Sequence, residues 1–503
     1  MPETSVPPAF VNRSRSPALI TAALAGCGLV TSSMQTLIIP LLPELPQLLS
    51  SSPVNASWVI TVTLLAGAVS NPISGRLGDI FGKRRVALVL LSVVFAGSLL
   101  SALTTSLAPM LVGRTFQGIG LGIIPLGISM LRDTIPTDRV GRSVAVVSST
   151  LGVGGAAGMP LSAFVSQHYN WHTLFWISAV LSVLGAIALW LVVPASPEHR
   201  GTRFDVPGAI GLAVGLTGLL LAVSKGTDWG WASVPTVGCA VGGLVVLVVW
   251  GFYQWWVSSP LVDLRISVRR PVLLTNLAAV AVGFGLFASS VVLPKLLQMP
   301  STTGVGLGTS MMVASLCMAP SGLLMLAISP VAARLSAARG PRSSLIVGAM
   351  TIAVGYGFAL ALMTEVWHTV VVSCLIGVGV GFSYAGLPVL IMHAVPESET
   401  AAANGLNTLM RAIGTTAAST AAAVVLAQNF VTVDGHDYTT VIGFRLAFAL
   451  AGIAALAALA IAWFIPRHEK TDPYASIPVD DPVPMRIRSH TGSGYDSETV
   501  VRP

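Results

Sequence analysis

Arg114 and Arg411 each sit inside a long run of apolar residues. A charge in such a run is expensive and marks a functional position by default. Arg114 has Gln117 and Gly118 close behind it, and Arg411 follows Asn407. A third group reads Gly75-Arg76-Leu77-Gly78-Asp79-Ile80-Phe81-Gly82-Lys83-Arg84-Arg85. Asp79 lies there between Arg76 and a basic cluster, a spacing suited to charge-assisted hydrogen bonds that form and break. The glycines allow a tight turn and close approach of helices. The plainer alternative for this segment is a basic loop that only fixes topology. Chemistry of other kinds lacks its residues. Of the twenty Asp and Glu, none falls mid-span, and neither does any of the eight histidines. Asp133 and Asp79, both at span ends, are the nearest titratable carboxylates. No cluster of His, Asp or Glu suits an enzyme. No GxxxxGK[ST] loop is present, because Gly78–Lys83 has the wrong spacing and Arg84 takes the Ser/Thr place. Cys27, Cys239, Cys317 and Cys374 lie in apolar runs without CxxC spacing, which argues against a disulfide framework or a metal site. No cofactor is expected.

The elements that must hold these groups follow from composition. The chain has 503 residues, 53% hydrophobic and 9% charged, with mean hydropathy +0.80. Soluble domains carry about 25% charged residues, so a soluble enzyme, a disordered chain and a nucleic-acid reader are excluded. A span needs about 20 apolar residues. That ruler predicts fourteen spans, at 18–42, 55–74, 86–104, 107–131, 143–166, 172–193, 207–226, 234–256, 272–296, 307–330, 343–363, 367–392, 400–427 and 443–464. The first is too long for a signal-peptide core. With the N-terminus placed inside, 22 of the 27 Lys and Arg fall in inner segments, so the net charge of +7 reads as a topology signal and both termini are expected to be cytoplasmic. The expected class is an all-α polytopic membrane protein. The chain after about 465 is polar and reads as disordered.

The sequence also echoes itself. Gly118, Gly120, Gly122 and Gly127 in the fourth span recur 259 residues later as Gly377, Gly379, Gly381 and Gly386. Arg76, Gly82 and Arg84 recur 258 residues later as Arg334, Gly340 and Arg342. Two related halves, spans 1–6 and 9–14, with 7–8 inserted, account for both, and duplicated halves are an architecture of secondary transporters.

The Gly75–Arg85 segment resembles the loop signature of the major facilitator superfamily, and Arg114-x-x-Gln117-Gly118 resembles that family's second signature. Arg411 lies in a stretch similar to one in the 14-helix branch. Gly154, Gly158 and Pro160 in span five resemble the antiporter signature, with the proline one residue late; close helix packing is the equal alternative. The fourteen spans, Asp228-Trp229-Gly230-Trp231 and the Pro260–Pro271 loop are similar to the drug:proton antiporter branch. The resemblance implies a fourteen-helix major facilitator fold arranged 6+2+6: a tail at 1–17, a six-helix bundle at 18–193, inserted helices at 194–256, a second bundle at 257–464 and a cytoplasmic tail at 465–503. It implies export of lipophilic or amphiphilic compounds from the cell by alternating access, driven by protons, in a monomer within the plasma membrane and without nucleic acid as a partner. Asp79 and its neighbours would be the latch, and Arg114, Gln117, Gly118, Asp133 and Arg411 would be the coupling and charge candidates. Gln35, Arg114, Asn276, Tyr384, Asn407 and Arg411 are the candidate polar groups of the cavity.

The branch often has an aspartate in span one, where this chain reads Thr31-Ser32-Ser33-Met34-Gln35-Thr36. Two alternatives therefore stand: a carrier of a neutral or anionic metabolite or lipid without proton coupling, and a non-transporting membrane sensor.

Overall fold

The computed structural model describes residues 16–41, 44–195, 203–433 and 436–466. Of the expected tails at 1–17 and 465–503, residues 1–15 and 467–503 lie outside these residues.

Fourteen helices are long and apolar enough to cross a membrane. They are α1 (Pro17–Thr36), α2 (Trp58–Phe81), α3 (Lys83–Leu103), α4 (Leu107–Thr134), α5 (Thr137–His168), α6 (Thr173–Val192) and α7 (Val206–Trp229). They continue as α8 (Val234–Trp256), α9 (Arg270–Gln298), α10 (Met311–Arg339), α11 (Pro341–Ala361), α12 (Val366–Ala394), α13 (Thr400–Gln428) and α14 (Val441–Phe464). Local chemistry fixes several starts. Proline occupies the first turn of α1, α7, α8, α9 and α11, where its missing N–H costs nothing. Asp205, Ser233, Ser310 and Thr440 accept backbone N–H bonds at the starts of α7, α8, α10 and α14.

The structure changes the expected elements in three places. Gly75–Phe81 is the last two turns of α2, and the loop shrinks to Gly82, whose φ of 91° suits glycine. Likewise α10 runs to Arg339, nine residues past the expected limit, and turns on Gly340 with φ 84°. Helices continue into polar end turns that a ruler of apolar length does not register. A short antiparallel hairpin, β1 (Phe430–Val433) with β2 (His436–Thr439), pairs Phe430 with Thr439 and Val431 with Tyr438 between α13 and α14. The fold is therefore nearly, rather than wholly, helical.

Packing repeats between the two sets of six helices. The pairs α1·α5, α2·α4, α3·α4 and α3·α6 match α9·α13, α10·α12, α11·α12 and α11·α14. The sets meet through α2·α13 and α5·α10, which are themselves equivalent under the repeat. The glycine echo has the same meaning. A Cβ on Gly118 would lie 2.4 Å from Thr63 O, and one on Gly377 would lie 2.3 Å from Ser321 O. Gly120 abuts Val94, and Gly379 abuts Ile352. Thr63 and Ser321, like Val94 and Ile352, are 258 apart. The glycines let α4 and α12 press against the equivalent partners in each set. α7 wedges Leu212, Leu216 and Leu220 against Leu65 of α2 and Leu409 of α13. α8 packs on α7 and otherwise exposes Val241, Leu244, Val248 and Phe252, the apolar surface expected of a helix that faces lipid.

Candidate functional site

At the end of the bundle marked by Gly82 and Gly340, α2 runs into the start of α13. The first N–H groups of any helix lack intrahelical acceptors, and Glu399 at the N-cap of α13 accepts none of them with its side chain. Asp79 supplies the acceptor from the other set of helices. Its Oδ2 accepts from Ala402 N at 2.9 Å and its Oδ1 from Ala401 N at 3.4 Å, with Asp79 only 3% exposed. The positive end of the α13 dipole adds to the attraction. Lys83 Nζ lies 3.9 Å from Asp79 and donates to Asp133 Oδ2 at 2.7 Å. Arg132 Nη1 donates to Thr400 Oγ1 at 2.7 Å, and its Nη2 is 3.9 Å from Glu397. The helices touch at backbone distance: a Cβ on Gly75 would stand 2.4 Å from Ala401 O, and one on Gly405 would stand 2.5 Å from Asn71 O. This end is sealed.

The rest of the motif acts within its own set. Arg84 Nη2 donates to Trp190 O near the end of α6. Arg342, its counterpart, donates through Nε to Ala462 O at 3.1 Å and through Nη2 to Trp463 O near the end of α14. Each arginine thus satisfies carbonyls at the negative end of the last helix of its set. Arg76 is half-buried, with Nε unpartnered, and Arg85 is exposed.

Arg114 is 1% exposed. Its Nε donates to Val59 O at 3.3 Å, and its Nη1 donates to Met34 O at 3.1 Å and to Gln117 Oε1 at 2.7 Å. Gln117 Nε2 passes the chain on to Ser98 Oγ at 2.9 Å. One guanidinium therefore ties α1, α2, α3 and α4 together through neutral acceptors, and Nη2 has no partner. No carboxylate takes part.

The other candidates converge in the second set. Asn407 Nδ2 donates to Asn276 Oδ1 at 2.9 Å, which joins α13 to α9. One turn on, Arg411 lies over the Tyr384 ring of α12, its Cζ 4.5 Å from the centroid, and donates to Thr408 Oγ1 at 2.9 Å. Arg411, Tyr384, Asn276 and Asn407 are all buried. Gln35 is half-buried on α1 and is not among the partners of Arg114 or of this group. Gly154 and Gly158 face α1: Cβ atoms there would meet Ser32 Oγ at 2.0 Å and Thr36 Oγ1 at 2.2 Å. Pro160 lies within the same helix, α5. The geometry gives this motif a packing task.

Sequence reasoning missed two groups. Arg132 reads from sequence only as one of the inner basic residues, since Thr400 is 268 residues away and no local spacing signals the contact. Lys225 reads from sequence only as a basic residue near the end of span seven. It is 1% exposed, donates to Ser57 Oγ and to Asp228 Oδ2 at 3.0 Å, and sits 5.1 Å from the Trp58 ring centroid. It therefore fastens α7 to the end of α2 opposite Asp79. The Lys225/Asp228 spacing of three was the available signal.

Fourteen spanning helices, twelve of them in two equivalently packed sets of six that are joined by polar contacts and hold charge inside, define a multi-pass membrane carrier. A profile of the Major Facilitator Superfamily matches residues 24–419, and the chain belongs to that superfamily. Members of that superfamily are transporters rather than enzymes. It is similar to an uncharacterized MFS-type transporter of Mycobacterium tuberculosis strain H37Rv, 27% identical over 408 residues, which are 79% of this chain and 57% of that one. The chain thus spans little more than half the length of that relative. It is also similar to the multidrug resistance protein B homolog of the same strain, 26% identical over 381 residues, covering 74% of this chain and 69% of the relative. Among solved structures, that of the human organic anion transporter MFSD10 (TETRAN) superposes with a TM-score of 0.63 at 16% identity, over 89% of this chain and 99% of that one. That last likeness is one of fold alone.

Proposed function

We propose that the protein is a secondary active exporter of small lipophilic or amphiphilic compounds, working by alternating access as a monomer in the cell membrane. The observation that carries this reading is the Asp79–α13 contact: a charged acceptor from one set of helices satisfies the orphan donors of a helix in the other. Such a contact is strong when made and has no substitute when broken, which suits a gate with two states. The multidrug-resistance name of the relative supports the substrate class. The excess of basic residues on one side supports a cytoplasmic location for the Gly82 end and for both termini.

The proton gradient is the proposed energy source. Asp79 and Asp133, bridged by Lys83 at the sealed end, are the titratable groups that a proton would reach at the gate. Protonating Asp79 removes the charge that holds the α13 terminus. One proton charge crossing 100 mV supplies about 2.3 kcal/mol, enough for roughly a 50-fold gradient of a neutral substrate. The second reading, a carrier without proton coupling, is favoured by one feature: the acids of the described spans lie toward helix ends. Substrate-induced proton release from proteoliposomes tests the choice. Release that tracks transport supports antiport; transport under an imposed gradient without release overturns it. Absence of any transport by active-fold protein, with ligand binding retained, would instead favour a sensor.

A further inference from the structure

We infer that Arg411, with Tyr384 and the Asn276–Asn407 pair, forms a binding site for the anionic group of an amphiphilic substrate, a carboxylate, sulfonate or phosphate monoester attached to an apolar body. The inference rests on the carrier reading and assigns the end of the substrate that the second set of helices holds.

The Arg411 guanidinium is 4% exposed and lies eleven residues into α13, which is about 16 Å along the helix and near the middle of a bilayer core about 30 Å thick. Its only hydrogen bond among the described residues goes to the neutral Thr408 hydroxyl, and Nη1 is buried with no acceptor at all. A permanently charged group in this position needs a countercharge. The helices around it supply none at its level. α9, α10, α11 and α14 contain no Asp or Glu, and neither do α12 and α13 within their helical limits. The acids of α2, α4 and α7, which also pack on α13, lie at helix ends and are engaged there, Asp79 with Ala401 and Ala402, Asp133 with Lys83 and Asp228 with Lys225. The Tyr384 ring stacks on the guanidinium and offsets only part of its lost hydration. The planar fork of an arginine, with one N–H edge left over, matches an oxyanion. With the Asn276 oxygen already accepting from Asn407, the Asn276 amide nitrogen is left as a second donor one turn away. Arg114 also leaves one nitrogen, Nη2, without a partner, but its other donors already end on two backbone carbonyls and Gln117, against the single Thr408 hydroxyl at Arg411, so it reads as a structural tie. The exclusion of acids also disfavours a cationic substrate at Arg411, because nothing there would attract it.

Purified full-length protein in nanodiscs would be titrated with three matched probes: 2-naphthalenesulfonate, 2-naphthalenesulfonamide and (2-naphthyl)trimethylammonium. The sulfonate is expected to bind at least 10-fold tighter than the sulfonamide, and the ammonium weakest. Arg411→Gln should erase that preference, Arg411→Lys should keep part of it, and Tyr384→Leu should lower sulfonate affinity about 3-fold to 10-fold while retaining selectivity. Equal affinities for sulfonate and sulfonamide, a preference for the ammonium, or an unchanged preference in Arg411→Gln with Arg411→Lys intact, would each overturn the site. Displacement of sulfonate by millimolar chloride, but not by gluconate, would assign the position to a small inorganic anion and overturn the substrate assignment. Transport of the sulfonamide by wild type and by Arg411→Gln in proteoliposomes would leave the carrier standing while the anion site fell, so the two failures are distinguishable.

Discussion

Asp79 shows how one side chain can join two helix bundles. It accepts from two backbone N–H groups that no side chain of their own helix serves. Hydrogen bonds to a charged group contribute about 1.5–3 kcal/mol each, so Asp79→Asn, which keeps the shape and loses the charge, should weaken the sealed state by about 1–2 kcal/mol. The equilibrium between sealed and open forms then shifts roughly 5-fold to 30-fold, readable as faster labelling of a cysteine placed at Ala402. An unchanged labelling rate would remove Asp79 from the gate. Arg114 makes a different prediction. Its guanidinium bonds reach α1, α2 and Gln117 of α4, and Gln117 carries the chain on to α3, so Arg114→Lys, with one donor centre in place of the fork, should lower the unfolding temperature by several degrees in detergent and reduce substrate binding only through that loss. A binding defect at unchanged stability would give Arg114 a direct role instead. The sequence marks Arg114, Gln117, Asn407 and Arg411 as polar groups inside apolar runs, and the structure is what shows them buried. The sequence does not show which carbonyl Arg114 finds, since Met34 and Val59 are 80 and 55 residues away.

Helix crossings explain why small residues recur. α2 and α13 touch at Gly75 and Gly405, where side chains of any size would meet backbone. Gly75→Leu should therefore prop the sealed end apart and leave transport at a few per cent of wild type or less, while the same change at Gly141, with open space around its Cβ position, should be tolerated. Proteoliposome flux of both variants, matched for expression, checks this. α7 behaves as a strut whose far end is pinned by Lys225 through Ser57 and Asp228. Lys225→Met preserves bulk and removes the pin. It should loosen the Trp58–Trp229 contact, whose ring centroids are 6.4 Å apart, and raise tryptophan accessibility to an aqueous quencher; unchanged quenching would argue against the strut. The helices themselves were legible from apolar length, but their ends were not, because the Gly75–Phe81 and Pro330–Arg339 turns interrupt the apolar run with charged and small residues while still helical. The hairpin at Phe430–Thr439 was hidden because two four-residue strands leave no length signal beside two long apolar helices.

Over the whole molecule, the internal echo becomes a physical symmetry. Glycines 259 apart press on partners 258 apart, and Arg84 and Arg342 close the last helix of each set in the same way. The sealed contact breaks that symmetry: Asp79 on α2 reaches α13, whereas the position 258 residues on from it in α10 is Ala337, which has no charge, and α10 bonds α5 two turns earlier through Ser329 Oγ to Ala145 O at 3.3 Å, a neutral bond. A charged latch on one crossing and a weak one on the other suits a molecule that hinges at α5·α10 and opens at α2·α13. The measurement that bears most directly on alternating access is a distance distribution across that opening. Spin labels at Phe81→Cys and Glu397→Cys, in protein with Cys27, Cys239, Cys317 and Cys374 replaced by serine and transport retained, would be read in nanodiscs by double electron–electron resonance. A short and a long population, exchanging weight with substrate and with Asp79→Asn, is the predicted result. A single short population, unmoved by either while the labelled protein still transports, would contradict it.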